Sequence, residues 1–254
     1  MRALLFDVTR CAGCGACLAA CAEENGLPQP CGEGPAEGSF TVLRKVAGRR
    51  GELYYRRLCM HCLDPACVSV CPVGALKKTP EGPVVYDPSI CMGCRYCLQA
   101  CPFEAPRYEW NSRAPRLNKC SFCAERIRQG EAPACAEICP AGATTCGERG
   151  ALLEVARARL AAAPDQYVPR IYGEREAGGT SVLYLSPVPF GLLGLPENLP
   201  EHPLPRLTQR ALEQIPPLSG AAALAMAGLW WLTNRKREVE RAERSDPAQP
   251  GGGR

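Results

Sequence analysis

Residues 91–102 read CMGCRYCLQACP, which sets Cys91, Cys94, Cys97 and Cys101 in a C-x2-C-x2-C-x3-C array closed by a proline. The same array stands at Cys11, Cys14, Cys17 and Cys21. Cys59, Cys62, Cys67 and Cys71 widen the middle gap to four residues, and Cys120, Cys123, Cys135 and Cys139 widen it to eleven. Three of the four quartets end in Cys-Pro, and together they use sixteen of the eighteen cysteines, leaving Cys31 and Cys146. Repetition of this kind is read before any single motif, because it decides the architecture.

Three chemistries consume thiols on this scale. A disulfide framework suits a small secreted domain, whereas these cysteines fall in short repeated clusters and no secretory signal is read at the start. Structural zinc takes two ligands from each of two separated pairs, which leaves the third evenly spaced cysteine of each quartet surplus. A [4Fe–4S] cubane takes three thiolates from one C-x2-C-x2-C loop and a fourth from farther along the chain. In two-cluster ferredoxins the fourth cysteine of each motif serves the other cluster. The proline after it ends the short helix and turns the chain away. Four quartets in succession select the cubane.

Composition agrees. Aromatic residues make up 6% of the 254, and 25 glycines and 25 prolines imply many turns, so a hydrocarbon core alone is thin. The net charge of +4 carries no basic run in the cysteine-rich part, which argues against nucleic acid as a partner. There is no phosphate-binding G-x-x-x-x-G-K-[ST], no dinucleotide fingerprint and no Ser-His-Asp set. The expectation is an electron carrier that is not itself an enzyme.

Between the quartets, Thr41–Val46 and Val84–Tyr86 read as short strands, the second after the turn-like Thr79–Pro83. Residues such as Leu98, Gln99 and Ala100, between third and fourth cysteines, suit one helical turn. This is the βαβ layout of small ferredoxins used twice. Ala151–Ala163 has helical spacing and stops at Pro164, and Thr180–Ser186 reads as a strand. Of the two histidines, His61 and His202, the first lies between Cys59 and Cys62 and reads as a solvent-facing loop residue, with a proton-coupled or partner-contacting role as the alternative. Arg95, inside a ligand loop, would raise the potential of its cluster or else pair with a partner or solvent. Cys31 and Cys146 read as free thiols in loops.

The segments CAGCGACLAACAEENGLP, CMHCLDPACVSVCPVGALKK, CMGCRYCLQACPF and KCSFCAERIRQGEAPACAEICPAGA resemble the four-cluster iron–sulfur subunits of membrane-bound molybdopterin and nickel–iron oxidoreductases. YGEREAGGTSVLYLS, followed by GLPENLP, is similar to the extension before the membrane anchor in formate dehydrogenase beta subunits and in the uptake-hydrogenase ferredoxin subunit. The resemblance implies an α+β fold with two ferredoxin-like (bacterial dicluster) halves, built from motifs one with four and two with three. It implies four [4Fe–4S] clusters, with all sixteen ligands cysteine. Their sets are Cys11, Cys14, Cys17 and Cys139; Cys21, Cys120, Cys123 and Cys135; Cys59, Cys62, Cys67 and Cys101; and Cys71, Cys91, Cys94 and Cys97. It further implies a catalytic molybdopterin or nickel–iron subunit on one side and an integral membrane cytochrome b or quinone-reactive subunit on the other. A wire for a quinol-dependent reductase of polysulfide, nitrite or sulfoxide type is the alternative, with a free-standing polyferredoxin as a third.

The C-terminal part adds a membrane signal. Pro216–Thr233 carries no formal charge and would span about 27 Å as a helix. Trp230 and Trp231 sit at one end, and Arg235, Lys236, Arg237, Arg241 and Arg244 follow, against Arg206 and Arg210 before it. The excess of basic residues on the far side predicts a cytoplasmic C-terminus and a periplasmic cluster domain, anchored in lipid by a single transmembrane helix. With no signal of its own expected, the chain would be exported bound to a partner. The organisation expected is a four-cluster domain over 1–147, a C-terminal extension over 148–205 packing on it or on a partner, an anchor over 206–234 with the transmembrane helix at about 216–233, and a charged flexible tail over 235–254.

Overall fold

A computed structural model describes residues 1–27, 39–48, 51–108, 110 and 116–245. Strand β1 (Arg2–Asp7) precedes the first quartet, and α1 (Ala16–Asn25) carries its last two cysteines. β2 (Thr41–Gly48) and β3 (Gly51–Leu58) form an antiparallel hairpin with Thr41 opposite Leu58. The second and third quartets hold the short helices α2 (Ala66–Ser69) and α3 (Tyr96–Ala100), with β4 (Leu76–Lys78) and β5 (Val84–Tyr86) paired between them. β6 (Arg107–Tyr108) and β7 (Leu117–Asn118) pair ahead of the fourth quartet, which holds α4 (Ala124–Arg128) and α5 (Ala134–Glu137). Then come β8 (Thr144–Glu148), α6 (Arg149–Ala162), β9 (Val182–Leu185) and α7 (Pro205–Ser245). This is a mixed α/β chain that divides into two units, Met1–Pro205 and Arg206–Arg254.

The first unit is organised by a three-stranded sheet in the order β8-β1-β9. β1 runs antiparallel to β8, with Leu4 opposite Cys146, and parallel to β9, with Leu5 opposite Leu183. The strand before the first quartet is thereby joined to the strand after the fourth. The helices repeat this pairing, since α1 packs on α5 and α2 packs on α3. One face of the sheet meets α6, burying Ala3, Leu5, Leu152, Leu153, Ala156, Ile171, Leu183 and Leu185. Each fully buried Leu in such a layer stabilises by about 1.5–3 kcal/mol. The other face, through Leu4, Phe6, Val182 and Tyr184, packs on Tyr55, Met60 and Phe122 from the cysteine-rich segments.

One position read as a loop residue lies in a strand. Cys146 sits within β8, where its neighbours alternate across the sheet. Cys31 lies outside the described residues. The strand at 180–186 narrows to Val182–Leu185, because Thr180 and Ser181 pair instead with Gly173, Met60 and His61. Asp7, at the end of β1, is fully buried and accepts from Thr9 N and Oγ1 at 3.1 and 2.6 Å, from Tyr167 at 3.1 Å and from Arg159 at 2.9 Å. That network ties β1 to α6 and to the start of the first ligand loop.

In the second unit α7 is long and apolar enough to cross a membrane, with a mean hydropathy of 1.3 over its apolar window and none of that window buried. It starts before the uncharged stretch and runs through Pro216 and Pro217, which leave the Leu212 and Glu213 carbonyls without their i+4 donors. Over 235–245 the tail expected from residue 235 continues the helix. Those residues remain helical, supported by the i,i+3 pair Arg235–Glu238 and the i,i+4 pair Lys236–Glu240.

Candidate metal centre

Each quartet is opened by the same backbone hook. The residue before the second cysteine takes a left-handed conformation in all four: Gly13 at φ 70°, His61 at 47°, Gly93 at 72° and Phe122 at 58°. At three of these residues the N–H points back toward the first sulfur of the quartet. Phe122 N–H donates to Cys120 Sγ at 3.3 Å, and the Gly13 and Gly93 N–H groups do the same for Cys11 and Cys91. At Gly13 a Cβ would lie 2.6 Å from Cγ of Tyr54, so the hairpin's ring also requires glycine. His61 and Phe122 adopt the same conformation with large side chains, at a cost of order 1–3 kcal/mol each.

The hooks surround cavities. Cys11, Cys14, Cys17 and Cys139 line one, with Phe6, Leu43 and Ala143. Cys21, Cys120, Cys123 and Cys135 line a second, with Leu4, Leu58 and Arg56. Cys71, Cys91, Cys94 and Cys97 line another, with Leu76, Tyr86, Tyr108 and Leu117. Cys59, Cys62, Cys67 and Cys101 interact with one another, Cys59 and Cys101 both acting on Cys62 and Cys67. Among the described residues no three His, Cys, Asp or Glu side chains converge closely enough to hold one ion. The sulfurs ring spaces instead, which suits a cluster presenting several irons at its corners.

Burial raises most of these thiols. Cys21 is pushed up to about 12 by burial and then by Cys135 and Cys123, and Cys67 reaches about 12 by burial and then by Cys59 and Cys101. Cys97 and Cys123 rise to about 11, again chiefly by burial. Cys91 goes the other way. Its partial burial would raise it, but the Tyr86 hydroxyl, the Gly93 N–H and the Tyr108 hydroxyl bring it below its ordinary value. Such raised thiols remain protonated at neutral pH until iron displaces the proton, so cluster assembly and deprotonation are one event.

Burial also overturns the reading of His61. It is fully buried rather than solvent-facing. Its Nδ1 accepts from Val84 N–H at 2.9 Å, its ring meets Phe122 edge-on at 4.8 Å, and Nε2 has no partner. The ring is thus a wedge between the second quartet, β5 and the fourth quartet. Burial, then Lys119 and Lys78, hold it well below its ordinary pKa, in the neutral form. Arg95 is exposed at the rim of its cavity, with its guanidinium 4.4 Å from the centre of the Trp110 ring and 5.8 Å from that of Tyr108.

Sequence reasoning missed two buried cations and a half-buried third. Arg56 is 1% exposed on β3, and Lys119 is 4% exposed beside Cys120, donating to the carbonyls of Val84 and of Cys120 itself. Lys78 donates to the His61 carbonyl at 3.1 Å and is lowered to about 8 by burial, although Cys62 and Cys59 favour its charge. The available signal was parity. Arg56 shares its side of β3 with Tyr54 and Leu58, and Lys119 directly precedes a ligand cysteine.

Residues 52–149 match the 4Fe-4S dicluster domain family. A protein of Nitratidesulfovibrio vulgaris strain Hildenborough is 38% identical over 96% of this chain and 70% of its own length. The hydrogenase-2 operon protein HybA of Escherichia coli O157:H7 is 39% identical over 76% of this chain and 72% of its own. The iron–sulfur subunit of the nitrate-inducible formate dehydrogenase of Escherichia coli K12 is 36% identical over 72% of this chain and 67% of its own.

Proposed function

The chain belongs to the 4Fe–4S iron–sulfur subunit family of the hydrogenase-2 and formate dehydrogenase type, and from that premise we propose that it relays electrons through four [4Fe–4S] clusters between a catalytic subunit and a membrane acceptor. The observation that carries the number four is the interleaving of the sulfurs. Three cavities are each lined by three cysteines of one quartet and one of its paired quartet, and the remaining four cysteines act on one another. When bound, each cluster supplies reversible one-electron chemistry. The ligand sets are those implied by the family, with Cys139, Cys21, Cys101 and Cys71 crossing between paired motifs. α1 on α5 and α2 on α3 support two ferredoxin-like halves.

The chain's own residues do the rest. Apolar walls such as Leu4, Leu58 and Leu76 exclude water, the left-handed hooks aim N–H groups at sulfur, and the Cys-Pro turns after Cys71, Cys101 and Cys139 carry the chain out of three of the sites. Cys14 and Cys94 are exposed, one in each of two different sets. These two sets are the ends of the relay, where a catalytic molybdopterin or nickel–iron subunit and a cytochrome b or quinone-reactive subunit dock. Beside Cys94 the exposed Met92, Tyr96 and Trp110 offer an apolar rim for one of them.

The four-cluster domain takes 1–147 with the extension over 148–205 closing on it, and the anchor takes 206–234. The helix at about 216–233 anchors the chain, with the cluster domain periplasmic and the C-terminus cytoplasmic, supported by the basic residues after Thr233. Anaerobically purified protein is expected to hold about sixteen irons and sixteen acid-labile sulfides. Zinc with little sulfide would sink the relay. Deleting 216–254 should keep the irons and release the protein from membranes, and a cytoplasm-dependent reporter after Arg254 should be active. A silent reporter with the irons intact would reverse the orientation alone.

A further inference from the structure

Among the described residues Arg56 is a charge without a carboxylate counter-ion. Its side chain is 1% exposed, and Nε, Nη1 and Nη2 are buried away from any oxygen acceptor, with the sulfurs of Cys135 and Cys17 as their partners. Among the described residues no carboxylate pairs with it. An unpaired buried guanidinium costs several kcal/mol, which a fold does not tolerate without an anion. Its position shows where that anion belongs. Arg56 lines the cavity of Cys21, Cys120, Cys123 and Cys135, and its charge also acts on Cys17, a ligand of the neighbouring cavity. Phe6, whose ring centre lies 5.9 Å from the guanidinium, lines that neighbouring cavity too. The backbone pins the residue, because Tyr184 donates its hydroxyl to the Arg56 carbonyl at 2.6 Å and β3 is paired along its length.

We propose that Arg56 is a fixed cation shared by two adjacent iron–sulfur clusters, those of Cys11, Cys14, Cys17 and Cys139 and of Cys21, Cys120, Cys123 and Cys135, and that it sets their reduction potentials above those they would otherwise have. A cluster with four thiolates is anionic and gains one further negative charge on reduction. A guanidinium held beside both sites in a low-dielectric interior favours the reduced form of each. Because the cation is shared, one side chain shifts both potentials in the same direction. Arg has no uncharged form at accessible pH, so the effect does not vary with acidity.

The inference rests on the four-cluster reading, and one experiment separates the two. The full-length protein and its Arg56→Lys, Arg56→Gln and Arg56→Met variants are purified anaerobically, assayed for iron and sulfide, and titrated potentiometrically with EPR detection. If the unmodified protein lacks about sixteen irons, the four-cluster reading has failed. With iron intact, two of the four one-electron steps should move negative in the Gln and Met variants by tenfold or more in equilibrium constant, 59 mV or more. The other two should stay, and the Lys variant should move less. Four unchanged steps at full iron content would overturn the proposal. Should Gln and Met lose iron instead, about half is expected to go while Lys retains it. Equal loss in the Lys variant would mean that shape rather than charge is what matters, and would also overturn the proposal.

Discussion

Two parts of the first unit are built on different physics. Around β1, β9 and α6 the interior is hydrocarbon, a layer of Leu5, Leu152, Leu153, Ile171, Leu183 and Leu185 with small alanines between. Around α2, α3 and β4–β7 the buried cluster is Leu76, Val84, Tyr108 and Leu117 with the thiols of Cys67 and Cys97, and no strand exceeds three residues. The first region follows the ordinary rule, in which apolar area removed from water offsets chain entropy. The second buries too little apolar surface for that. Iron–sulfur bonds, which tie residues far apart in sequence, must hold it. A small domain held by metal folds with its metal.

Iron removal is the harshest way to break this comparison. Chelation in air should abolish hydrogen-exchange protection in β4, β5 and β7 while leaving much of it in β1 and β9. Loss in β1 and β9 at the same rate would show that the clusters support the whole unit equally. A sharper test pairs two leucines of like burial. Leu183→Ala should destabilise the folded protein by about 2–5 kcal/mol with little change in iron per folded molecule. Leu76→Ala should instead speed iron release under a chelator, because its neighbours are a ligand set. Equal iron release from the two variants would dissolve the distinction. The smallest effect is expected at Asp7→Asn, which keeps the shape but weakens the bond to Arg159. A loss of about 1.5–3 kcal/mol is expected by denaturant unfolding, confined to the hydrocarbon side. Reduction potentials altered in that variant would show that the network reaches the clusters.

The strand at Val84–Tyr86 was legible from its apolar run after a turn, and the helix before Pro164 from its spacing. β1 was not read, although RALLFD is the central strand of the sheet. Six residues ahead of a cysteine array carry no turn signal or alternation to mark them. Its pairing with β8 and β9 joins positions 138 and more apart. The hairpin was half read, since β2 opens on the β-branched and apolar run Thr41, Val42 and Leu43 while β3 opens on Gly51 and Glu52 and carries Arg56 and Arg57. His61 was misread for a related reason. A polar residue in a ligand loop is usually wet, and only the approach of β5 and Phe122 makes this one dry.

The sequence alone determined the chemistry, because cluster ligation needs thiols at short fixed spacings, and spacing is a local property of the chain. It also determined the apolar C-terminal helix, for which length and hydropathy suffice. The tertiary structure decided which cysteines share a cavity and what surrounds them. Arg56, Lys119 and His61 became interior groups, and Lys78 a half-buried one, only when distant segments closed over them. Burial is a property of the whole packing, so no local pattern in the sequence could display it.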